Sequence, residues 1–191
     1  MANAARDHGL TGFEFLEGIP GTVGGALRMN AGALGGSLFG LVESVVFMDA
    51  AGQVRERKLE ELEVEYRGCP FFKDQVALGA VLKGRPASKA DIEEKMRESN
   101  RKRWSSQPRA PSAGCIFKNP AELPAGRLID ELGLKGTRVG GASVSPVHAN
   151  FIVNEGGATA RDVLDLIELI QRRAKAERGI ALETEVQMIG E

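Results

Sequence analysis

The chain has 191 residues, 42% hydrophobic and 27% charged, the balance of a soluble globular protein long enough for one large core or two small ones. A formal net charge of −1 offers no electrostatic footprint for nucleic acid or an anionic membrane, and no apolar run approaches the roughly 20 residues that span a bilayer. Cys69, Cys115, His8 and His148 are too scattered for a disulfide framework or a local zinc spacing, so no metal is expected and a reduced, cytoplasmic protein is the default.

In chain order, Met1 to Leu10 reads as the tail of an alanine-rich helix, and glycine then becomes dense. The 24 glycines concentrate in Gly18 to Gly40, Gly126 to Gly141, and Gly156-Gly157. Glycine serves where the backbone needs positive φ or where something must approach it closely, so these stretches predict a ligand-lined cleft. The string Gly18-Ile19-Pro20-Gly21-Thr22-Val23-Gly24-Gly25 lacks the Gly-Lys-Ser/Thr ending of a P-loop and the spacing of a dinucleotide fold. Its glycines and proline instead fix a tight turn with uncovered N–H groups, able to cradle phosphate or lie against a flat ring. A plain loop is the alternative.

Leu41 to Met48, with Val42, Val45, Val46 and Phe47, predicts a strand; Asp49 to Gly52 predicts a turn, and Gln53 to Arg57 the returning strand. Leu59 and Leu62 suggest a short helix, and Val76 to Leu82 another strand. Gly84 and Pro86 then break the chain. Ser88 with Asp91 predicts an N-cap, followed by a helix to about Arg103 whose apolar positions are chiefly Ile92 and Met96. The domain boundary is placed here, giving domains 1–87 and 88–191, and the basic cluster Lys95 to Arg109 reads as a solvated face. Thr159 and Asp162 cap a helix from Ala160 to Arg178, in which Val163, Leu166, Ile167, Ile170 and Ala174 keep helical spacing and which Gly179 ends. Ile180 to Ile189 alternates and predicts a final strand, with Glu183, Glu185 and Gln187 on one face. Alternation alone assigns those carboxylates to solvent.

The string from Glu14 to Ala26, with Met29-Asn30-Ala31-Gly32 after it, resembles the second FAD-binding subdomain of the UDP-N-acetylenolpyruvoylglucosamine reductase (MurB) family. Further strings resemble the family in its own order. They are Tyr66-Arg67 with Phe71-Phe72-Lys73, the loop Pro111 to Pro120, Ala125 to Asp130, Gly133 to Gly136, His148 to Asn154, and Leu182 to Val186 with Ile189-Gly190. The resemblance therefore covers essentially the whole chain.

That resemblance implies an α+β fold: part of a FAD-binding (PCMH-like) subdomain, then a MurB C-terminal-type substrate-binding domain. It implies a FAD oxidoreductase that uses NADPH to reduce UDP-N-acetylglucosamine enolpyruvate to UDP-N-acetylmuramate in peptidoglycan precursor synthesis. Gly18, Ile19, Pro20, Gly21, Thr22, Val23, Gly24, Gly25 and Asn30 would then bind the flavin. Arg67 matches the family's catalytic arginine and Glu185 its catalytic glutamate, which overturns the solvent reading at Glu185. Cys115 stands where most members carry serine as proton donor; a thiol is the stronger acid and suits that role. Arg103, Asn119 and His148 match positions that face the nucleotide-sugar, with Arg103 suited to the diphosphate. Many relatives carry a lysine where this chain has Ser106. The family's first FAD-binding lobe has no counterpart here, as in a fragment, a mispredicted start or a split protein whose separate chain supplies the lobe; the alternative functions are a flavin-free UDP-sugar-binding module or an inactive fragment.

Overall fold

Val45 and Phe47 point inward from a strand in which Val42 and Ser44 are also buried, and around them the first of two cores assembles. The computed structural model describes residues 1–190, in two compact units, Met1–Lys102 and Arg103 onward. Each unit mixes helices with antiparallel strands, the expected α+β class.

In the first unit, α1 (Ala2–Asp7) leads to β1 (Leu10–Thr11), α2 (Val23–Arg28) and a small hairpin of β2 (Gly32–Ala33) and β3 (Gly36–Ser37). β4 (Val42–Met48) runs between β5 (Val54–Lys58) and β6 (Val76–Leu82), antiparallel to both. The Asp49 carboxylate closes the turn after β4 by accepting from the Ala51 and Gln53 N–H groups, both at 3.0 Å. β7 (Arg85–Pro86) pairs with β1, a short ladder that tolerates proline at its edge. The core holds Leu27, Leu38, Phe39, Val45, Phe47 and Phe72, with Ile92 and Met96 from α3 (Lys89–Ser106). Full burial of each such side chain is worth about 1.5–3 kcal/mol. Ser88 Oγ accepts from the Asp91 N–H at 3.1 Å, so the expected boundary coincides with the cap of α3. The units themselves divide later, inside α3, which continues past Arg103 to Ser106.

A buried carboxylate braces the start of this unit. Glu14 accepts from Thr11 Oγ1 at 2.5 Å and from the Gly12 N–H at 2.8 Å, while Lys95 of α3 reaches Thr11 Oγ1 at 3.2 Å. Burial alone would raise the Glu14 pKa; the Thr11 hydroxyl, the backbone N–H groups and the Lys95 charge outweigh it and hold the group below its ordinary value.

The second unit contains β8 (Ser112–Cys115), α4 (Ala125–Glu131), β9 (Arg138–Val139), β10 (Ala142–Val144), β11 (Phe151–Asn154) and α5 (Ala160–Arg178). Its sheet is antiparallel throughout, in the order β8-β11-β10-β9. Leu128 and Ile129 of α4 and Leu166, Ile170 and Ala174 of α5 share one core with Phe117, Val144 and Ile152. α5 begins in a capping box: Thr159 Oγ1 accepts from the Asp162 N–H at 3.1 Å and Asp162 accepts from the Thr159 N–H at 2.9 Å. It ends at Gly179, whose left-handed φ of 70° an L side chain would resist.

The expected final strand over Ile180–Ile189 does not form. Thr184 makes one isolated bridge to Phe117, and the chain bends directly afterwards. Leu182 still packs into the core, whereas Met188 and Ile189 are exposed. Alternation supplies a face, but a ladder also requires a neighbouring backbone, and only the stretch Ile116–Lys118 provides one. Among the described residues no helix is long and apolar enough to cross a membrane, and no side-chain cluster could hold a metal ion.

Candidate functional site

In the first unit the β2–β3 hairpin, Asn30, Tyr66 and Arg67 line a cleft of ≈ 330 Å³. Three non-glycine residues take positive φ among those described: Asn30 at 41°, Leu34 at 53° and Arg67 at 59°. All three line this one cleft. Such a conformation costs an L-residue about 1–2 kcal/mol, and strain of this kind gathers where geometry serves function. Arg67 sits in a tight turn that Glu65 and Gly68 close with reciprocal backbone bonds of 2.9 and 3.3 Å. Its guanidinium lies 5.3 Å from the centre of the exposed Tyr66 ring.

Gly32 is required by this arrangement. A Cβ there would stand 2.5 Å from the Gly36 carbonyl oxygen and 3.1 Å from Arg67 Nη1. Asn30 is buried, donating to the Glu65 carbonyl at 2.9 Å and accepting from the Phe39 N–H at 3.2 Å. It ties the Arg67 turn to the segment after the hairpin, a positioning task for a residue expected at the flavin. Cys69 is buried behind the same turn, and burial raises its thiol pKa, consistent with packing.

The glycine loop Gly18–Gly25 is largely uncovered. Gly18, Pro20, Gly21, Thr22, Val23 and Gly25 are exposed, and Thr22 caps α2 by accepting from the Gly25 N–H at 3.1 Å. A Cβ added to Gly21 would enter open space. The uncovered backbone leaves room for a flat group to lie along the loop.

In the second unit Glu185 is tied through its backbone to Ile116, the residue that follows Cys115. Cys115 ends β8, opposite Phe151 of β11, beside an irregularity in that ladder. The next residue, Ile116, accepts from the Glu185 N–H at 2.7 Å, and the Lys118 N–H donates to the Glu183 carbonyl at 2.9 Å. Lys118 and Glu183 also form an ion pair through their side chains. Asn150, 2% exposed, holds the segment from the other side. Its amide accepts from the Phe117 N–H at 2.9 Å and donates to the Phe117 carbonyl at 2.8 Å.

The expected substrate residues divide by environment. Asn119 is exposed and its carbonyl oxygen accepts from the Ala125 N–H at 3.0 Å, at the start of α4. His148 is half-buried, edge-on to Phe151, with Nδ1 accepting from the Asn150 N–H at 3.2 Å. Burial, with a smaller contribution from Lys135, lowers its pKa and favours the neutral ring. Arg103 is half-buried near the end of α3 and Nη1 donates to Gln107 Oε1 at 3.4 Å. Arg67, Asn30 and the glycine loop belong to the first unit, and Arg103, Cys115, Asn119, His148 and Glu185 to the second.

Sequence reasoning missed Asn30's brace, Asn150 and the Lys118–Glu183 pair. Asn150 had a visible sign, an amide flanked by the apolar run Phe151-Ile152-Val153, where a buried polar group must find partners.

Against known proteins, residues 107–189 match the profile of the UDP-N-acetylenolpyruvoylglucosamine reductase C-terminal domain. The crystal structure of UDP-N-acetylenolpyruvylglucosamine reductase (MurB) from Thermus caldophilus superposes with a TM-score of 0.85 at 41% identity, over 97% of this chain and 67% of that one. The chain belongs to the UDP-N-acetylenolpyruvoylglucosamine reductase family. The reductase of Syntrophomonas wolfei is 42% identical over all of this chain and 64% of its own length. That of Alkaliphilus oremlandii is 48% identical over 95% of this chain and 60% of its own. The chain thus spans about 60–64% of the length of these curated relatives. Family membership makes it a relative of reductases of that name, and the α+β second unit corresponds to the family's C-terminal domain.

Proposed function

We propose that the chain carries the catalytic residues of a reaction that reduces UDP-N-acetylglucosamine enolpyruvate to UDP-N-acetylmuramate. The observation that supports this most is the backbone bond from Glu185 to Ile116, which holds the carboxyl-bearing residue beside the segment that carries the Cys115 thiol. FAD, when bound along Gly18–Gly25, would supply the hydride that it takes from NADPH. As that hydride adds to one carbon of the enolpyruvyl double bond, electron density builds on the neighbour, beside the carboxylate. Cys115 donates the thiol proton to that carbon, and solvent restores the thiolate to a thiol. Arg67, a fixed guanidinium, pairs with the substrate carboxylate and stabilises the developing charge. Glu185 orients the reacting group by hydrogen bonding. Asn30 shapes the flavin side, while Arg103, Asn119 and His148 hold the nucleotide-sugar, with Arg103 at the diphosphate.

The test begins with colour. Purified chain given FAD is expected to retain flavin absorbance, to oxidise one equivalent of NADPH per flavin without substrate under anaerobic conditions, and to go on oxidising NADPH only with the enolpyruvyl UDP-sugar present. Cys115→Ala should lower turnover by a factor of about 100 or more. A second reading, a UDP-sugar-binding module without flavin, draws support from the second unit's own core and sheet. Colourless protein that still binds the UDP-sugar would favour that reading and defeat the first.

A further inference from the structure

Trp104 is the only tryptophan in the chain, and it stands 46% exposed in the last turn of α3. An indole buries more apolar area than most side chains, so leaving it half in water wastes stabilisation unless the ring serves a partner. The Arg109 guanidinium lies 5.6 Å from its centre. Among the described residues no carboxylate pairs with Arg109, although the neighbouring Arg101 and Lys102 are paired with Glu94 and Glu98. From Arg101 to Arg109 there are four cationic residues and no acidic one. The segment is also anchored: the Pro111 carbonyl accepts from the Asn154 N–H at 2.9 Å, which fixes the chain just beyond Arg109 to the sheet that carries Cys115. At most about 20 Å of extended chain separates Arg109 from Cys115, the scale of a nucleotide-sugar.

We propose that Trp104 and Arg109 form the nucleotide end of the substrate site, the indole stacking on the pyrimidine base and the guanidinium meeting the phosphates. The inference rests on the UDP-sugar reading above and adds to it two residues that confer affinity and base preference. A flat ring stacked on indole suits any base, while an unpaired guanidinium beside it suits an anion, so a nucleoside diphosphate satisfies both groups at once.

Because Trp104 is the sole tryptophan, its emission reports this place alone. UDP added to the whole chain is expected to quench that emission in a saturable way, and inorganic phosphate to leave it unchanged. Trp104→Ala should weaken UDP binding about tenfold in calorimetry, and Trp104→Phe, which keeps a ring, should recover most of the loss. Arg109→Ala should weaken UDP more than uridine. Calorimetric UDP binding with unchanged emission, or equal affinity in Trp104→Ala, overturns the inference and leaves the proposed function standing. Absence of any UDP or UDP-sugar binding overturns both.

Discussion

Around Arg67, order comes from turns. Two tight turns, three L-residues at positive φ and a glycine that can hold no side chain shape the cleft of the first unit. Around Cys115 it comes from pairing: β8 lies on β11, Glu185 and Glu183 bond to Ile116 and Lys118, and Asn150 fastens Phe117 at both backbone groups. The first site is strained and the second is hydrogen-bonded. Strained turns fail through steric conflict at single atoms, whereas paired segments fail when a buried polar partner is removed. The two halves should therefore respond to different insults.

The largest effect is expected from the pairing. Asn150→Ala strips partners from two buried backbone groups of Phe117 and should cost about 2–5 kcal/mol, read by denaturant unfolding followed through Trp104 emission. A loss below about 1 kcal/mol would show that Phe117 finds other partners. Next comes the turn. Gly32→Ala drives a methyl against the Gly36 carbonyl and should cost about 1–3 kcal/mol in thermal unfolding. It should also displace Arg67, whereas Gly21→Ala, facing open space, avoids that crowding and costs less despite its φ of 131°.

Acidification separates the halves more gently. The depressed His148 pKa means that the unfolded chain binds the proton more readily, so its contribution is present above about pH 6.5 and is lost as pH falls towards the lower folded value. Glu14 is also depressed, but as a carboxyl group its contribution is present above about pH 4.3 and is lost as pH falls through its folded value. Amide exchange across a pH series should show the second unit loosening first. His148→Gln should abolish the upper slope and Glu14→Gln the lower one; loosening of the first unit near neutrality would contradict the assignment. The smallest effect belongs to the exposed Arg127–Glu131 pair on α4. Arg127→Ala should change stability by no more than about 0.5 kcal/mol, a control against general fragility.

The same contrast governs what could be read beforehand. β6 and α5 match their expected ends, Val76–Leu82 and Ala160–Arg178, because a compact apolar run and a capped 3.6-residue repeat carry their own instructions. The two-residue strands do not, since each is defined by the partner it meets: β1 by β7, β2 by β3. The Ile180–Ile189 alternation misled for a related reason, having a face but a neighbour only near Thr184. Cys115 and Glu185 were singled out by family resemblance, while the backbone bond between Glu185 and Ile116 had no sign in the sequence. The glycine excess pointed to a cleft, yet the strain in it rests on Asn30, Leu34 and Arg67, whose φ values no composition reveals.

Cys69 has one more consequence. Sealed behind the Arg67 turn with its thiol held protonated by burial, it is shielded from alkylating reagents, while Cys115 is part-exposed. The native chain therefore presents one addressable sulfur. A maleimide probe added to folded protein should attach once, at Cys115, and a second equivalent should enter only after denaturation, so a spin label or affinity tag can be seated at the proposed reaction centre without engineering the sequence.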